Sequence, residues 1–430
     1  MDIEQIYNCF KRCSGVTTDS RKITKNSLFI SLRGETFNGN KFALHAIESG
    51  CLFALVDDSN FYDANNPQLI LVEDCLLTLQ QLATFHREKL ATPILAITGT
   101  NGKTTTKELI TAVLKQKFKT HATQGNFNNH IGVPLTLLQL KEEHEIAIVE
   151  MGASHPGEIE FLTQLIRPNF GLVTNVGKGH LEGFGSFQGV IQTKTELYTY
   201  LRKSKGKLFI QADNPYLMPL SDGIDKYTYG EGKGDIKGHV LIGDSPFLTF
   251  EWSLNNQQRV VQTNLVGNYN LDNCLAAVAV GSYFGVSPHL IDSAISNYKP
   301  TNNRSQLSVT DRNKLIIDAY NANPTSMQAA LINFKQLGDK NKVVILGDMK
   351  ELGKDSIEEH KKILTHLKRC SFSKVYLIGA EFGKANQGVY PHYDSIEQLI
   401  KELAEQPISG YTILIKGSNS LHLTKVVSSL

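Results

Sequence analysis

The sequence predicts an α/β protein of three domains: a central, mostly parallel sheet of the P-loop ATPase kind, a small α/β domain before it and a Rossmann-like domain after it. Three observations carry this reading. At 430 residues the chain is too long for one ordinary core. From residue 94 to about residue 300, strand and helix patterns alternate, the cadence of a parallel sheet covered by helices on both faces. Beyond a polar stretch at 300–303 the same cadence starts again. The domains are therefore expected at 1–90, 91–302 and 303–430.

The bulk numbers bound the class. Apolar residues make up 41% and charged residues 20% of the chain, an ordinary globular composition. A net charge of +2 gives no argument for a nucleic-acid partner, and basic residues gather only locally, around Lys103, Lys107, Lys115, Lys117 and Lys119. Six cysteines are scattered without a C-x-x-C pair, which argues for idle thiols in a reducing compartment rather than zinc or a redox dithiol. The N-terminus lacks a basic start leading into an apolar core. No run approaches the roughly 18 apolar residues of a membrane span. A soluble, cytoplasmic chain without stable membrane insertion is expected.

In order along the chain, Leu28, Phe29, Ile30 and Leu32 suggest a strand, 42–49 a short helix and 52–56 another strand. Ahead of them lies Thr17-Thr18-Asp19-Ser20-Arg21, a pattern of turn and cap residues. A helical stretch over 79–90 leads to the break at Thr92-Pro93. There follows the most informative segment, ILAITGTNGKTTTKE at 94–108. Its apolar run Ile94–Ile97 reads as a buried strand, and Leu109, Ile110, Val113 and Leu114 then repeat at helical spacing. Between them, Gly99, Thr100, Asn101, Gly102, Lys103, Thr104 and Thr105 form a phosphate cradle. The glycines let backbone N–H groups approach an anion, the helix start adds its positive dipole, Lys103 reaches the outer phosphates, and Thr104 offers a hydroxyl to Mg2+. The general motif is matched only at its Gly-Lys-Thr end, because its first glycine falls on Ile97. ATP is the expected ligand.

The loop at 125–134 is too rich in asparagine for a core, and its amides, Asn126 and Asn129 among them, suit a polar ligand or simply turns. The strand at 145–149 ends in Glu150-Met151-Gly152, where folds of this kind place a metal ligand, as against a solvent-facing acid. A further strand at 170–174 delivers Asn175-Val176-Gly177-Lys178-Gly179-His180, and Lys194 follows, opening a helix. Taken alone, His180 and Lys194 are ordinary. Their interest is that they follow Lys103 and Glu150 on successive strands. The segment 207–250 shows strand-like pieces and a glycine-rich run, and no chemistry attaches to it. After Gly267, the apolar residues Leu275, Val278 and Ala279 mark a buried helix with Asn270 and Asn273 on one face at its start, placed to bond a purine edge or to cap the helix. Past the linker, strands at 315–317, 342–346, 375–378 and 411–415 present Arg304, Asp318 with Asn321-Ala322-Asn323-Pro324, Gly347-Asp348-Met349 and Lys416-Gly417-Ser418 toward a common crevice.

The order Thr-Asp-Ser-Arg (18–21), Thr-Gly-Thr-Asn-Gly-Lys-Thr (98–104), Gly-Asn-x-Asn-Asn-x-Ile-Gly-x-Pro (125–134), Glu150-x-Gly152, Thr-Asn-Val-Gly with His180, Lys194-x-Glu196 and the Asn270/Asn273 helix resembles the Mur ligases of peptidoglycan synthesis over the whole chain. Residues 318–324 and 347–353, the latter reading Gly-Asp-Met-x-Glu-Leu-Gly, resemble the branch of that family that adds D-alanyl-D-alanine. The resemblance implies ATP-driven amide formation: the terminal carboxylate of UDP-N-acetylmuramoyl-tripeptide is phosphorylated, and the amine of D-alanyl-D-alanine attacks the acyl phosphate. It implies Mg2+ on Thr104 and Glu150 and a second Mg2+ on His180 and Lys194, the lysine carbamylated by CO2 because an ammonium cannot ligate a cation. Asn270, Asn273, Arg304 and Asp318 would hold adenine, phosphate and ribose, while Asp19, Ser20, Arg21, Asn126 and Asn129 would lie on the UDP-sugar side. A monomer is expected. The chain departs from the family at Asn38-Gly39-Asn40 in place of Asp-Gly-His, at Tyr269 in place of His, and at Asn419 in place of Arg after Lys-Gly-Ser. Alternatives are a sister ligase adding the third residue, a folylpolyglutamate synthase-like ligase, or a non-catalytic ATP-binding relative, though the last would be expected to lose Glu150, His180 or Lys194. Whether the third residue of the tripeptide is a diamino acid or lysine is open.

Overall fold

Short apolar runs separated by turns build the first part of the chain. Val16–Thr17 (β1), Leu28–Ile30 (β2), Phe53–Val56 (β3) and Leu69–Leu71 (β4) form a four-stranded parallel sheet in the order β1-β2-β3-β4. The helix Ala43–Glu48 packs Ala43 and Ala46 onto Phe29, Ala54, Val56 and Leu69. The next helix, Cys75–Lys89, starts earlier than its apolar spacing predicts, because the Asp74 carboxylate caps it by accepting from Leu77 N at 2.7 Å. The computed structural model describes residues 1–243 and 245–430. Its chain divides into two units, Met1–Ile97 with Phe118–Ala153 and Ile159–Gly171, and Thr98–Lys117 with Ser154–Glu158 and Leu172–Leu430.

In the first unit, Ile94–Thr98 (β5), Thr120–Ala122 (β6) and Ile146–Glu150 (β7) run parallel in the order β5-β7-β6 and place Ile97 opposite Glu150. Strands β5 and β7 are buried along their whole length, which is why they read as unbroken apolar runs rather than alternating ones.

In the second unit the helix Lys103–Leu114 packs on the helix Leu271–Tyr283. Gly281 makes that approach possible, since a Cβ there would sit 2.4 Å from Val113 Cγ1. Beyond Phe170–Val173 (β8), the strands Lys207–Gln211 (β9), Asp225–Gly230 (β10), Ile236–Val240 (β11), Phe247–Leu254 (β12) and Gln257–Val266 (β13) continue a sheet in the order β8-β9-β10-β11-β12-β13. Strands β9 to β11 pair in parallel and β11 to β13 antiparallel. The β12–β13 hairpin turns on Asn255 and Asn256, both left-handed, as a tight two-residue turn requires. This is what the pieces seen over 207–250 amount to, a structural extension.

The last part of the chain is a second sheet: Gln306–Val309 (β14), Lys314–Asp318 (β15), Lys342–Gly347 (β16), Lys374–Ile378 (β17), His392–Tyr393 (β18) and Thr412–Lys416 (β19), in the order β14-β15-β19-β16-β17-β18. All its pairings are parallel except β14–β15. The register sets Asp318 directly beside Lys416. Among the described residues no helix is long and apolar enough to cross a membrane.

Candidate active site

Strand β5 runs out into the loop 98–102, and the helix Lys103–Leu114 starts on Gly102. Both glycines of the loop are needed. Gly102 is left-handed (φ 78°) and a Cβ there would meet Asn273 Oδ1 at 2.4 Å, while one on Gly99 (φ 139°) would meet Thr174 Oγ1 at 2.0 Å. Residues 174–177 clamp the loop. Thr174 Oγ1 and Asn175 Nδ2 donate to the Asn101 carbonyl at 2.6 and 3.0 Å, Asn101 N donates to Asn175 Oδ1 at 3.0 Å, and Gly177 N donates to Thr100 Oγ1 at 3.0 Å. The result is a rigid cradle at a helix N-terminus, suited to an anion. Lys103 Nζ rests on the Gly99 and Thr100 carbonyls at 2.8 and 3.1 Å, neutral acceptors that are weaker partners for an ammonium than a phosphate oxygen. Thr104 and Thr105 follow in the first turn, both buried.

Asn270 and Asn273 brace this cradle. Asn273 Oδ1 accepts from Thr106 Oγ1 at 2.9 Å, Asn273 Nδ2 donates to Asn270 Oδ1 at 2.9 Å, and Asn270 Nδ2 donates to the Val266 carbonyl and Ser305 Oγ at 3.0 and 3.2 Å. Tyr269, one of the departures, joins the same network through Ser305 Oγ at 3.0 Å. Next in sequence to Ser305, the Arg304 guanidinium lies 3.8 Å over the Tyr320 ring, and its Nε is buried without a hydrogen-bond partner, a donor left for a ligand. Asp318 accepts from Lys416 Nζ at 2.6 Å, and Lys416 is itself 2% exposed.

His180, left-handed at φ 52°, precedes the short helix Leu181–Phe184. Its ring stands edge-on to Phe184 at 6.2 Å, and Lys194 Nζ lies 5.0 Å over the same Phe184 ring, so one aromatic side chain carries both residues. Lys194 closes the helix Phe187–Lys194 instead of opening one. The chain breaks at Thr195, whose hydroxyl turns back to the Ile191 carbonyl at 2.9 Å, and the next helix begins at Glu196. Burial, reinforced by the Lys103 charge and opposed by Glu158 and Glu196, pulls the Lys194 ammonium down to about 7. Among the described residues, several polar contacts link this region to the last part of the chain. Asn323 Nδ2 donates to Asn101 Oδ1 at 2.7 Å, Lys178 pairs with Glu359 at 2.8 Å, and His180 Nδ1 lies 2.7 Å from Glu351 Oε2. The histidine holds the Glu351 carboxyl below its usual range, against the opposing effect of burial.

In the first unit, Glu150 is 2% exposed at the end of β7 and accepts from Asn128 Nδ2 at 2.9 Å. Gly152 keeps Asn128 close, since its missing Cβ would lie 2.9 Å from Asn128 Oδ1. Asn129 Oδ1 accepts from Ile131 N and Gly132 N at 3.1 and 2.9 Å just ahead of the helix Gly132–Leu137, and Asn126 is exposed. Asp19 holds Arg21 in a bidentate pair at 2.8 and 3.0 Å within a turn that also carries Ser20, and the Arg21 hydrogen bonds lower the Asp19 carboxyl to about 2. Asn40, another departure, is buried and bonded both ways to Asp57 at 2.7 and 2.9 Å, so it acts as a structural tie.

Phe184, Asn128, Glu351 and Lys416 thus carry parts of the candidate site for which the sequence reading named no role. Glu351 and Lys416 lie inside motifs that were visible, whereas Phe184 gives no signal beyond its spacing from His180. Thr104 and Glu150, each in its own unit, offer oxygen, the donor type that a hard cation such as Mg2+ takes. His180 offers a nitrogen, while Lys194 fits a cation only as a carbamate.

Models of three Mur ligase domains match the chain: the Mur ligase family catalytic domain over residues 12–87, the middle domain over 97–281 and the glutamate ligase domain over 303–419. The UDP-N-acetylmuramoyl-tripeptide–D-alanyl-D-alanine ligase of Bacillus subtilis is 37% identical over 97% of this chain and 93% of its own length. The Escherichia coli ligase of the same name is 34% identical over 96% and 93%. Among solved structures, MurF from Acinetobacter baumannii superposes with a TM-score of 0.88 at 27% identity, covering 100% of this chain and 98% of its own. The MurF ligase of Thermotoga maritima in complex with ADP gives a TM-score of 0.86 at 25% identity, covering 98% and 97%.

Proposed function

We infer, from the premise that this chain belongs to the Mur ligase family, that it is an ATP-dependent amide-forming ligase of peptidoglycan synthesis. It joins D-alanyl-D-alanine to UDP-N-acetylmuramoyl-tripeptide, giving the pentapeptide precursor. The observation that carries this reading is the near full-length similarity to ligases of that name.

The chemistry sets what the residues must do. A carboxylate is a poor acyl donor, so one of its oxygens attacks the γ-phosphorus of ATP and ADP leaves. The amine nitrogen of D-alanyl-D-alanine then attacks the acyl carbon, the carbon–oxygen bond to phosphate breaks, and the amine proton passes to solvent. The first step brings two anions together, and unit charges of like sign 4 Å apart repel by about 4 kcal/mol at an effective dielectric of about 20. The Lys103 cradle offsets this by holding cationic and N–H partners in place before the charge arrives.

The residue roles extend this reading. Thr104 and Glu150 serve as ligands of Mg2+, which supplies charge neutralisation on the phosphates. His180 and Lys194 serve a second Mg2+, with Lys194 carbamylated. Support for the carbamate is the shared Phe184 platform together with burial that leaves the Lys194 amine largely able to lose its proton, since only a neutral amine reacts with CO2. Asn270, Asn273, Arg304 and Asp318 serve the nucleotide, the two asparagines by bracing the loop and Arg304 through its spare Nε. Asp19, Ser20, Arg21, Asn126 and Asn129 serve the UDP-sugar. The chain acts as a cytoplasmic monomer, with segments 1–90, 91–302 and 303–430 as substrate, ATP and closing domains. The test is phosphate release by the purified protein with ATP, Mg2+, UDP-N-acetylmuramoyl-tripeptide and a panel of amines. Turnover that needs both the tripeptide and D-alanyl-D-alanine is expected, and vigorous turnover with a single free amino acid in place of the dipeptide overturns the assignment.

A further inference from the structure

Lys416, in the Lys-Gly-Ser motif at the end of β19, has no part in the roles assigned above, although it is a buried lysine beside one of the residues that has. We propose that Lys416 is a positioning residue for the nucleotide: it occupies Oδ2 of Asp318 and neutralises that carboxylate, leaving Oδ1 as the acceptor for a ribose hydroxyl. This rests on the reading of Asp318 as a nucleotide-binding residue.

The register of β15 against β19 sets the two residues side by side at the carboxyl end of the sheet, the end at which open α/β sheets take their ligands. Lys416 Nζ donates to Asp318 Oδ2 at 2.6 Å and to the Asn321 carbonyl at 3.4 Å. Stability alone is a weak reason for such a pair, because taking an ammonium out of water is costly and a well-packed apolar side chain of similar volume often does as well. What the pair leaves over is more telling. Among the described residues, the one hydrogen bond to Asp318 Oδ1 is a long one, from Ser305 N at 3.4 Å. A carboxylate oxygen has about two acceptor sites, so Oδ1 keeps room for a hydroxyl proton. Ser305 also ties Asp318 to the phosphate loop. Its Oγ accepts from Asn270 Nδ2 at 3.2 Å, Asn270 Oδ1 accepts from Asn273 Nδ2 at 2.9 Å, and Asn273 Oδ1 accepts from Thr106 Oγ1 at 2.9 Å, in the helix that starts at Lys103. A bare carboxylate joined to that loop would repel the phosphates it receives, and such repulsion grows where the surroundings are less polar than water. Lys416 cancels the charge and at the same time fixes which oxygen is offered.

The test measures binding of ADP, 2′-deoxy-ADP and 3′-deoxy-ADP, each with Mg2+, to the full-length protein by isothermal titration calorimetry. A hydrogen bond to a charged acceptor is expected to give the parent a preference of about tenfold or more for ADP over at least one of the deoxy analogues. Lys416→Met keeps a buried stem and drops the charge. It is expected to bind ADP more weakly and to lose most of the preference. Lys416→Gln keeps a polar head at the same place without the charge, is expected to fall between the parent and Lys416→Met, and is read in the same way if the methionine variant does not fold. A variant that weakens all three nucleotides by one common factor, with the parent's preference intact, overturns the proposal and makes Lys416 a structural support only. A variant that binds all three as the parent does overturns it as well, and in both cases the nucleotide reading of Asp318 stands. If the parent itself takes the three nucleotides alike, the ribose reading of Asp318 fails and the proposal fails with it.

Discussion

Lys103 and Lys194 are two cations close enough for one to perturb the other, and the chemistry asks opposite things of them. Lys103 is assigned to the transferring phosphoryl group, so Lys103→Ala is expected to lose at least ~3 kcal/mol of transition-state stabilisation, about a hundredfold in rate. A Lys103→Ala enzyme with an unchanged rate of phosphate release removes the phosphate-loop assignment. Lys194 has to give up its charge. Lys194→Ala is expected to be nearly inactive and partly restored by acetate, which replaces a metal-ligating anion; near-normal activity without acetate rules out the carbamate. The same burial makes a stability prediction. In CO2-free buffer the folded-state value of about 7 lies below the ordinary 10.5, so the amine destabilises the fold fully below about pH 7. That cost fades as pH rises toward 10.5, because in this window the unfolded chain holds the extra proton. Lys194→Met should therefore raise Tm most at about pH 6 and lose much of that gain by about pH 10. A gain independent of pH contradicts the burial argument.

At the scale of elements, the cradle depends on one close approach, Gly102 against Asn273. Gly102→Ala adds a methyl 2.4 Å from Asn273 Oδ1 in a left-handed conformation that itself costs an L-residue about 1–2 kcal/mol. Asn273→Ala strips Thr106 and Asn270 of a partner, at about 1–3 kcal/mol for the buried groups left behind. The two changes share one contact, so the double variant should be less unstable than the sum, since Asn273→Ala removes the atom that the new methyl strikes. Strict additivity in urea unfolding argues against this contact. The elements legible in the sequence were those with local signatures. Strands β5 and β7 are continuous apolar runs, and the Lys103 helix follows a glycine turn with its apolar face at helical spacing. The antiparallel end, β11 to β13, was not legible as a sheet. Its alternation is read only once β12 packs Phe250 and Trp252 inward, and Trp252 depends on a bond to Asp292 far along the chain. The site divides in the same way. Lys103, Thr104 and Glu150 sit in segments that announce themselves, whereas Phe184, Asn128 and Glu351 matter only through partners that folding brings to them.

For the whole molecule, several of the contacts between the ATP loop region and the last part of the chain are single polar pairs among the described residues. Lys178–Glu359 is part-exposed, and pairs of this kind contribute roughly 0–1 kcal/mol. The Asn323–Asn101 bond is neutral, and such a bond contributes about 1 kcal/mol net. Each such term is small beside the binding energy of a nucleotide, so ATP is expected to reset the arrangement. It also has a direct handle on it, because Asn101 belongs to the loop that receives the phosphates and Arg304 carries a spare donor beside the linker. Asn303 and Ser305 are both left-handed, at φ 57° and 49°, and lie next to Asn302, which is tied to Glu108 of the Lys103 helix at 3.1 Å. Hinges absorb their motion at a few such positions. Fluorescence energy transfer between a label on the helix Lys103–Leu114 and one on the helix Ser356–Lys368 is therefore expected to change on adding ATP with the UDP-tripeptide. Asn303→Pro cannot adopt a positive φ and is expected to freeze or derange that response while the separate sheets stay folded. If the label distance ignores both ligands in the parent protein, residues 303–430 do not close over the nucleotide, and Arg304 and Asp318 must act from where they already stand.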